Sequence, residues 1–60
     1  MMVRQDIESL IRCLRWAEDQ KPLPTFQMTL LSMLVRLEQG GHTSVWLTFE
    51  EYLEIEQYLL

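Results

Sequence analysis

Cysteine occurs once, at Cys13, so no intrachain disulfide can form and a disulfide-stapled secreted miniprotein is excluded. A free thiol points to a reducing compartment, and the expected location is the cytoplasm. Histidine also occurs once, at His42. One Cys and one His are too few for a zinc site within a chain, and no cofactor is expected. The two glycines, Gly40 and Gly41, are adjacent, which rules out a spaced phosphate-cradling loop. Basic residues are scarce: 5 Lys+Arg stand against 9 Asp+Glu, for a formal net charge of -4. Nucleic-acid binding needs a basic footprint, so nucleic acid is disfavoured as the main partner. Long apolar runs are missing too. The longest uncharged stretch, Pro22 to Val35, is too short and too rich in Pro, Thr, Gln and Ser to cross a bilayer, and no membrane role is expected. Arg4, Asp6, Glu8 and Arg12 interrupt any apolar run near the start, so no N-terminal signal is visible.

What is present is apolar enough to fold. Hydrophobic residues make up 48% of the chain, the opposite of a disordered composition. The 60 residues form a single helical interaction domain. A domain this small buries only roughly 60% of the surface its unfolded chain exposes, leaving too little wall for a substrate cleft. No Ser-His-Asp or paired-carboxylate arrangement is defensible, and the chain reads as a non-enzyme. Without a disulfide or a metal, stability has to come from very good helix packing or from oligomerisation.

The expected fold class is all-α: a compact three-helix domain with helices at about 3–20, 25–39 and 49–60, completed by dimerisation. Val3, Ile7, Leu10, Ile11, Leu14 and Ala17 repeat at the spacing of one helix face. Lys21-Pro22-Leu23-Pro24 stops that helix. Thr25 or Leu23 is expected to cap the second helix, and Gly40-Gly41 to end it near Gln39. Residues 42–47 read as a short extended segment, because Thr43, Val45 and Trp46 favour a strand. With no strand partner foreseen in the chain, that segment is expected to pack as an arm or to pair across a dimer. Thr48-Phe49-Glu50-Glu51 is a capping-box sequence, with Leu47 and Tyr52 placed for a hydrophobic staple. Phe49, Tyr52, Leu53 and Leu60 are assigned to the core face of the last helix, with Glu56 on the same arc.

The second helix is apolar on two sides. Phe26, Leu30, Met33, Leu34 and Leu37 make one face, and Met28, Leu31 and Val35 make another nearly opposite. A helix apolar on two sides has to be covered on two sides, either as the centre of a monomer or with help from a second chain. The dimer interface is therefore assigned to Met28, Leu31 and Val35, joined by Met2 and Cys13 on a second line along the first helix.

The whole charge deficit lies in the last 19 residues, at Glu50, Glu51, Glu54 and Glu56. Glu50, Glu51 and Glu54, with Trp16 and Trp46, are the expected partner-binding residues, because an acidic face suits a basic or mixed protein surface and tryptophans are enriched among binding hot spots. The arginines Arg4, Arg12 and Arg15 are expected to pair with the acidic last helix, within the chain or across a dimer. The function expected is protein–protein contact, as an inhibitor or adaptor of a larger protein machine; a phage-encoded antagonist of a host system fits the size and acidity. The alternatives are a small dimeric transcriptional regulator, touching DNA through the arginine face of helix one or through helix two, and a structural subunit of a larger assembly.

Overall fold

The computed structural model describes residues 1–59. Five elements follow one another: strand β1 (Met2–Asp6), helix α1 (Ile7–Gln20), helix α2 (Thr25–Gln39), strand β2 (Ser44–Thr48) and helix α3 (Phe49–Glu56). The strands pair antiparallel, with Val3 opposite Leu47 and Gln5 opposite Val45. The all-α expectation is therefore overturned: this is a small α/β fold of three helices and a two-stranded sheet.

The correction has a definite physical origin. Val3 and Ile7 are four residues apart, a separation that suits one face of a helix and equally one face of a strand, since four is twice the strand period. What decides is Asp6. Its backbone is extended (φ -75, ψ 124) and its carboxylate accepts from the Ser9 amide at 2.9 Å, so the helix starts after it. Residues 2–6 are left extended and become the partner that β2 needs, so no arm or second chain is required. Ile7 N–H closes one end of the ladder by donating to Thr43 O at 3.0 Å, and Phe49 N–H closes the other by donating to Met1 O at 3.1 Å.

Each strand thus runs straight into a helix through its last residue. At the second junction Thr48 (φ -65, ψ 159) forms the expected capping box: its hydroxyl accepts from Glu51 N–H at 3.1 Å, and Glu51 Oε1 accepts from Thr48 N–H at 2.8 Å. The start of α2 differs from expectation. Pro24 is the cap residue and offers no side-chain hydrogen bond, and Thr25 is the first helical residue. The end of α2 is a Schellman arrangement. His42 N–H reaches Leu37 O and Gly41 N–H reaches Glu38 O, both at 3.0 Å, while Gly41 takes the left-handed conformation at φ 90.

Ile7, Leu10, Leu14, Leu34, Leu47 and Ile55 are the largest fully buried side chains, drawn from all three helices and β2. The last helix is shorter than expected, ending at Glu56, and its inward residue is Ile55; Phe49 and Leu53, expected in the core, are each 45% exposed. Leu60 lies outside the described residues. The inner face of α2 is Gln27, Leu30 and Leu34, whereas Phe26 is 51% exposed. Among the described residues, no helix is long and apolar enough to cross a membrane.

Candidate functional site

The sheet has one face on the core and one in solvent. Along β1 burial alternates, with Val3 and Gln5 half-buried between exposed Met2, Arg4 and Asp6. Leu47 is wholly buried while its neighbour Trp46 is 61% exposed, because successive strand residues point to opposite faces. Arg4 lies opposite Trp46 and Met2 opposite Thr48, so the outer face carries Met2, Arg4 and Trp46 side by side. Arg4 is steadied there by donating from Nε to Ser44 Oγ at 3.3 Å.

Strand β2 runs directly into α3. The bond from Phe49 N–H to Met1 O holds the start of that helix against the start of β1. Ile55 points inward, so the opposite, outward stripe of α3 carries Phe49 and Leu53, one turn apart. Glu50 and Glu56 flank that stripe, and both are exposed. Met1, Met2, Trp46, Phe49 and Leu53 make up five of the nine large hydrophobic side chains exposed among the described residues. The candidate site is the outer sheet face with Met2, Arg4 and Trp46, together with the exposed stripe of α3 that follows it in the chain.

The expected partner-binding residues do not stay together. Trp46 lies on the outer sheet face and Glu50 at the exposed start of α3. Glu51 is committed to the capping box, and half-buried Glu54 accepts from Gln27 Nε2 at 2.9 Å. Gln27 is only 2% exposed; its amide also donates to Glu54 O at 3.3 Å, while its carbonyl accepts from the Tyr58 hydroxyl. This polar knot ties the end of α3 to α2, a structural use of residues that the sequence reading gave to a partner or left unassigned. Gln27, Leu30 and Leu34 follow the three-and-four spacing of one face, and that spacing was the signal for it.

Trp16 lies elsewhere. It is 52% exposed and separates two shallow grooves, one of about 310 Å3 lined with Ala17, Pro22, Leu23 and Tyr58, the other bordered by Cys13, Tyr58 and Leu59. The residues expected at a dimer interface also separate. Met2 sits in the sheet and not on helix one. Cys13 is buried, with its Sγ donating to Ile55 O at 3.7 Å, and burial pushes its thiol pKa up. Leu31 and Val35 are half-buried against the core, leaving Met28, 49% exposed, as the open member of that face.

The arginines do not meet the last helix. Among the described residues the ion pair present is Arg12–Glu8 at 3.4 Å, one turn apart on α1 and exposed at both ends. Among the same residues, no group of three or more His, Cys, Asp or Glu side chains gathers to hold a metal ion. Compared with known proteins, the chain matches no family model, no curated protein and no solved structure.

Proposed function

We propose that this chain works by binding protein and not by catalysing a reaction, with the outer sheet face and the outward stripe of α3 as its contact surface. The observation that carries the reading is the exposure of Met2 and Trp46 on the outer sheet face and of Phe49 and Leu53 on the helix that follows it. Scattered exposed hydrophobics need no explanation, but a contiguous patch rimmed by charge is the usual mark of an interaction site. Glu50 and Glu56, exposed on α3, favour a protein with a basic or mixed surface. A role as inhibitor or adaptor of a larger machine needs such a surface and no chemistry. A buried free thiol suits a reducing compartment, and the cytoplasm is part of the same proposal. The DNA-binding alternative has less support: Arg4 sits in a strand and Arg12 is paired with Glu8, so of the three arginines expected on helix one only Arg15 stays there without an ion pair among the described residues.

A photo-reactive amino acid at position 46 tests the reading. Illumination of cells making this variant should give protein adducts that disappear when Phe49→Ser and Leu53→Ser are added. The same probe at Thr29, exposed on α2, should give none of them. Absence of any protein adduct at position 46, of this chain or another, would sink the proposal.

A further inference from the structure

We infer that the open edge of β1 takes an extended segment of a partner protein as a third strand, with a carboxylate of that segment beside Arg4. The inference rests on the protein-binding reading above and names the form and charge of what binds. It starts from the direction of the backbone groups. Ile7 N–H donates to Thr43 O and Phe49 N–H donates to Met1 O, and hydrogen-bonded pairs recur at every second residue of an antiparallel ladder. The bonded pairs between those ends are therefore Val3–Leu47 and Gln5–Val45. The N–H and C=O groups of Met2 and Arg4, and the Asp6 N–H, point away from β2. By the same rule Ser44, Trp46 and Thr48 point theirs away from β1. The capping box agrees, because Thr48 N–H turns outward to reach Glu51 Oε1.

The two edges are not equivalent. That bond closes one end of the β2 edge, whereas the outward groups of β1 make no hydrogen bond among the described residues. Burial marks the same edge. Leu47 on the inner face of β2 is wholly buried, but Val3 opposite it is only half-buried, so the cover over the sheet thins toward β1. The pairing runs without a bulge and β1 contains no proline, two devices that commonly blunt an edge. Outward donors and acceptors at every second residue, roughly 7 Å apart, match an extended backbone. Side chains then set the charge. The Asp6 carboxylate is occupied by the Ser9 amide at 2.9 Å and the Ser9 hydroxyl at 3.0 Å. Arg4 spends only its Nε, on Ser44 Oγ, and makes no ion pair among the described residues. A neighbouring strand places a same-face side chain about 5 Å from that of Arg4, and an acidic one completes the guanidinium.

Short peptides alternating valine and threonine, with either glutamate or lysine at the centre, are the probes for the purified chain. The glutamate peptide should slow hydrogen exchange at the Met2, Arg4 and Asp6 amides, with the outward amides of Ser44 and Trp46 still exchanging freely. The lysine peptide should bind about tenfold more weakly, and Arg4→Glu should invert that preference. Arg4→Pro removes one outward N–H and spares the bonds to β2, since an edge strand tolerates proline, and it should bind neither peptide. In cells, Arg4→Pro should also abolish the protein adducts formed at position 46. Circular dichroism checks each fold, and Arg4→Glu carries both tests should Arg4→Pro fail that check. Free exchange at the β1 amides in the presence of the glutamate peptide would overturn the inference, as would protection at Ser44 and Trp46 instead. A chain that pairs with its own copy along β1 would overturn the partner segment as occupant. Position-46 adducts that persist in the folded Arg4 variants would overturn docking at the edge and leave the protein-binding reading in place. Their absence even with Arg4 unchanged would remove that reading itself.

Discussion

At the scale of single residues, the two strand-to-helix junctions decide where the chain turns. Asp6 and Thr48 each end a strand and cap a helix, and they do so with different chemistry. The Asp6 carboxyl is held below its usual range, first by the Ser9 amide, then by the Ser9 hydroxyl; slight desolvation opposes this and the Arg12 charge adds to it. A carboxyl whose pKa is lower folded than unfolded stabilises the fold above its unfolded value of 3.8, and that contribution fades as pH falls through the lower, folded value. Acid titration of helicity should show this loss below pH 3.8, and Asp6→Asn should remove that part of the pH dependence while keeping a capping oxygen. Thr48 carries no charge and predicts the opposite behaviour. Thr48→Ala should cost roughly 0.5–2 kcal/mol in denaturant melts at any pH, and Thr48→Ser should be nearly silent. Equal losses for Ala and Ser would mean that the hydroxyl bond does not hold the helix start.

At the scale of elements, α3 depends on more than its own sequence. Its 8 residues are too few for a helix that stands alone in water, so docking has to hold it. Ile55 supplies the apolar part and the Gln27 knot the polar part. Gln27→Glu should therefore place a second carboxylate against Glu54 and loosen α3. Gln27→Leu should cost about 1–3 kcal/mol, because the Tyr58 hydroxyl then lacks its acceptor and Glu54 its donor. Hydrogen exchange at residues 52–58 is the measurement, and protection unchanged by both substitutions would show that α3 is held by Ile55 alone. The knot also bears on the acidic residues. Neutralising Glu50 alone changes the surface, whereas neutralising Glu51 or Glu54 also touches a cap or the knot.

At the scale of the molecule, the sheet joins the start of the chain to its last third. The molecule has a Cα radius of gyration of only 10.7 Å, yet its ladder joins residues about forty positions apart in sequence, forty for the Arg4–Ser44 bond. Contacts of that separation are what make three short helices one cooperative unit, and they are costly to close. Val3→Asp puts a charge on the inner face of β1 opposite wholly buried Leu47. It should unpair β1 and release β2 together with α3, since the Phe49–Met1 bond ties the start of α3 to the residue that precedes β1. A thermal melt that stays single and cooperative with only a small shift would contradict that coupling. The stability at stake is small, about 3–9 kcal/mol for a domain of this length, and a charge buried without a partner consumes a large share of it.

The amino-acid sequence alone determined the features that depend on neighbours within one turn. The Lys21–Pro24 break, the Schellman end at Gly40-Gly41, the capping box at Thr48 and the core stripe Ile7–Leu10–Leu14–Ala17 are all local, and all stand where residue type and spacing put them. Tertiary structure decided whatever was compatible with two periods or two faces. Residues 2–6 became a strand because β2 offered a partner forty residues away, a fact no local window contains. On α3, Phe49 and Leu53 competed with Ile55 for the core, and the direction in which the sheet delivers the helix settled the contest for Ile55. Gln27 was buried because Glu54 and Tyr58 arrive to satisfy its amide, which only the docked helices make possible. The candidate site is of this second kind throughout. Met2, Arg4 and Trp46 come from the two ends of the chain, and they share a surface only because the two strands pair.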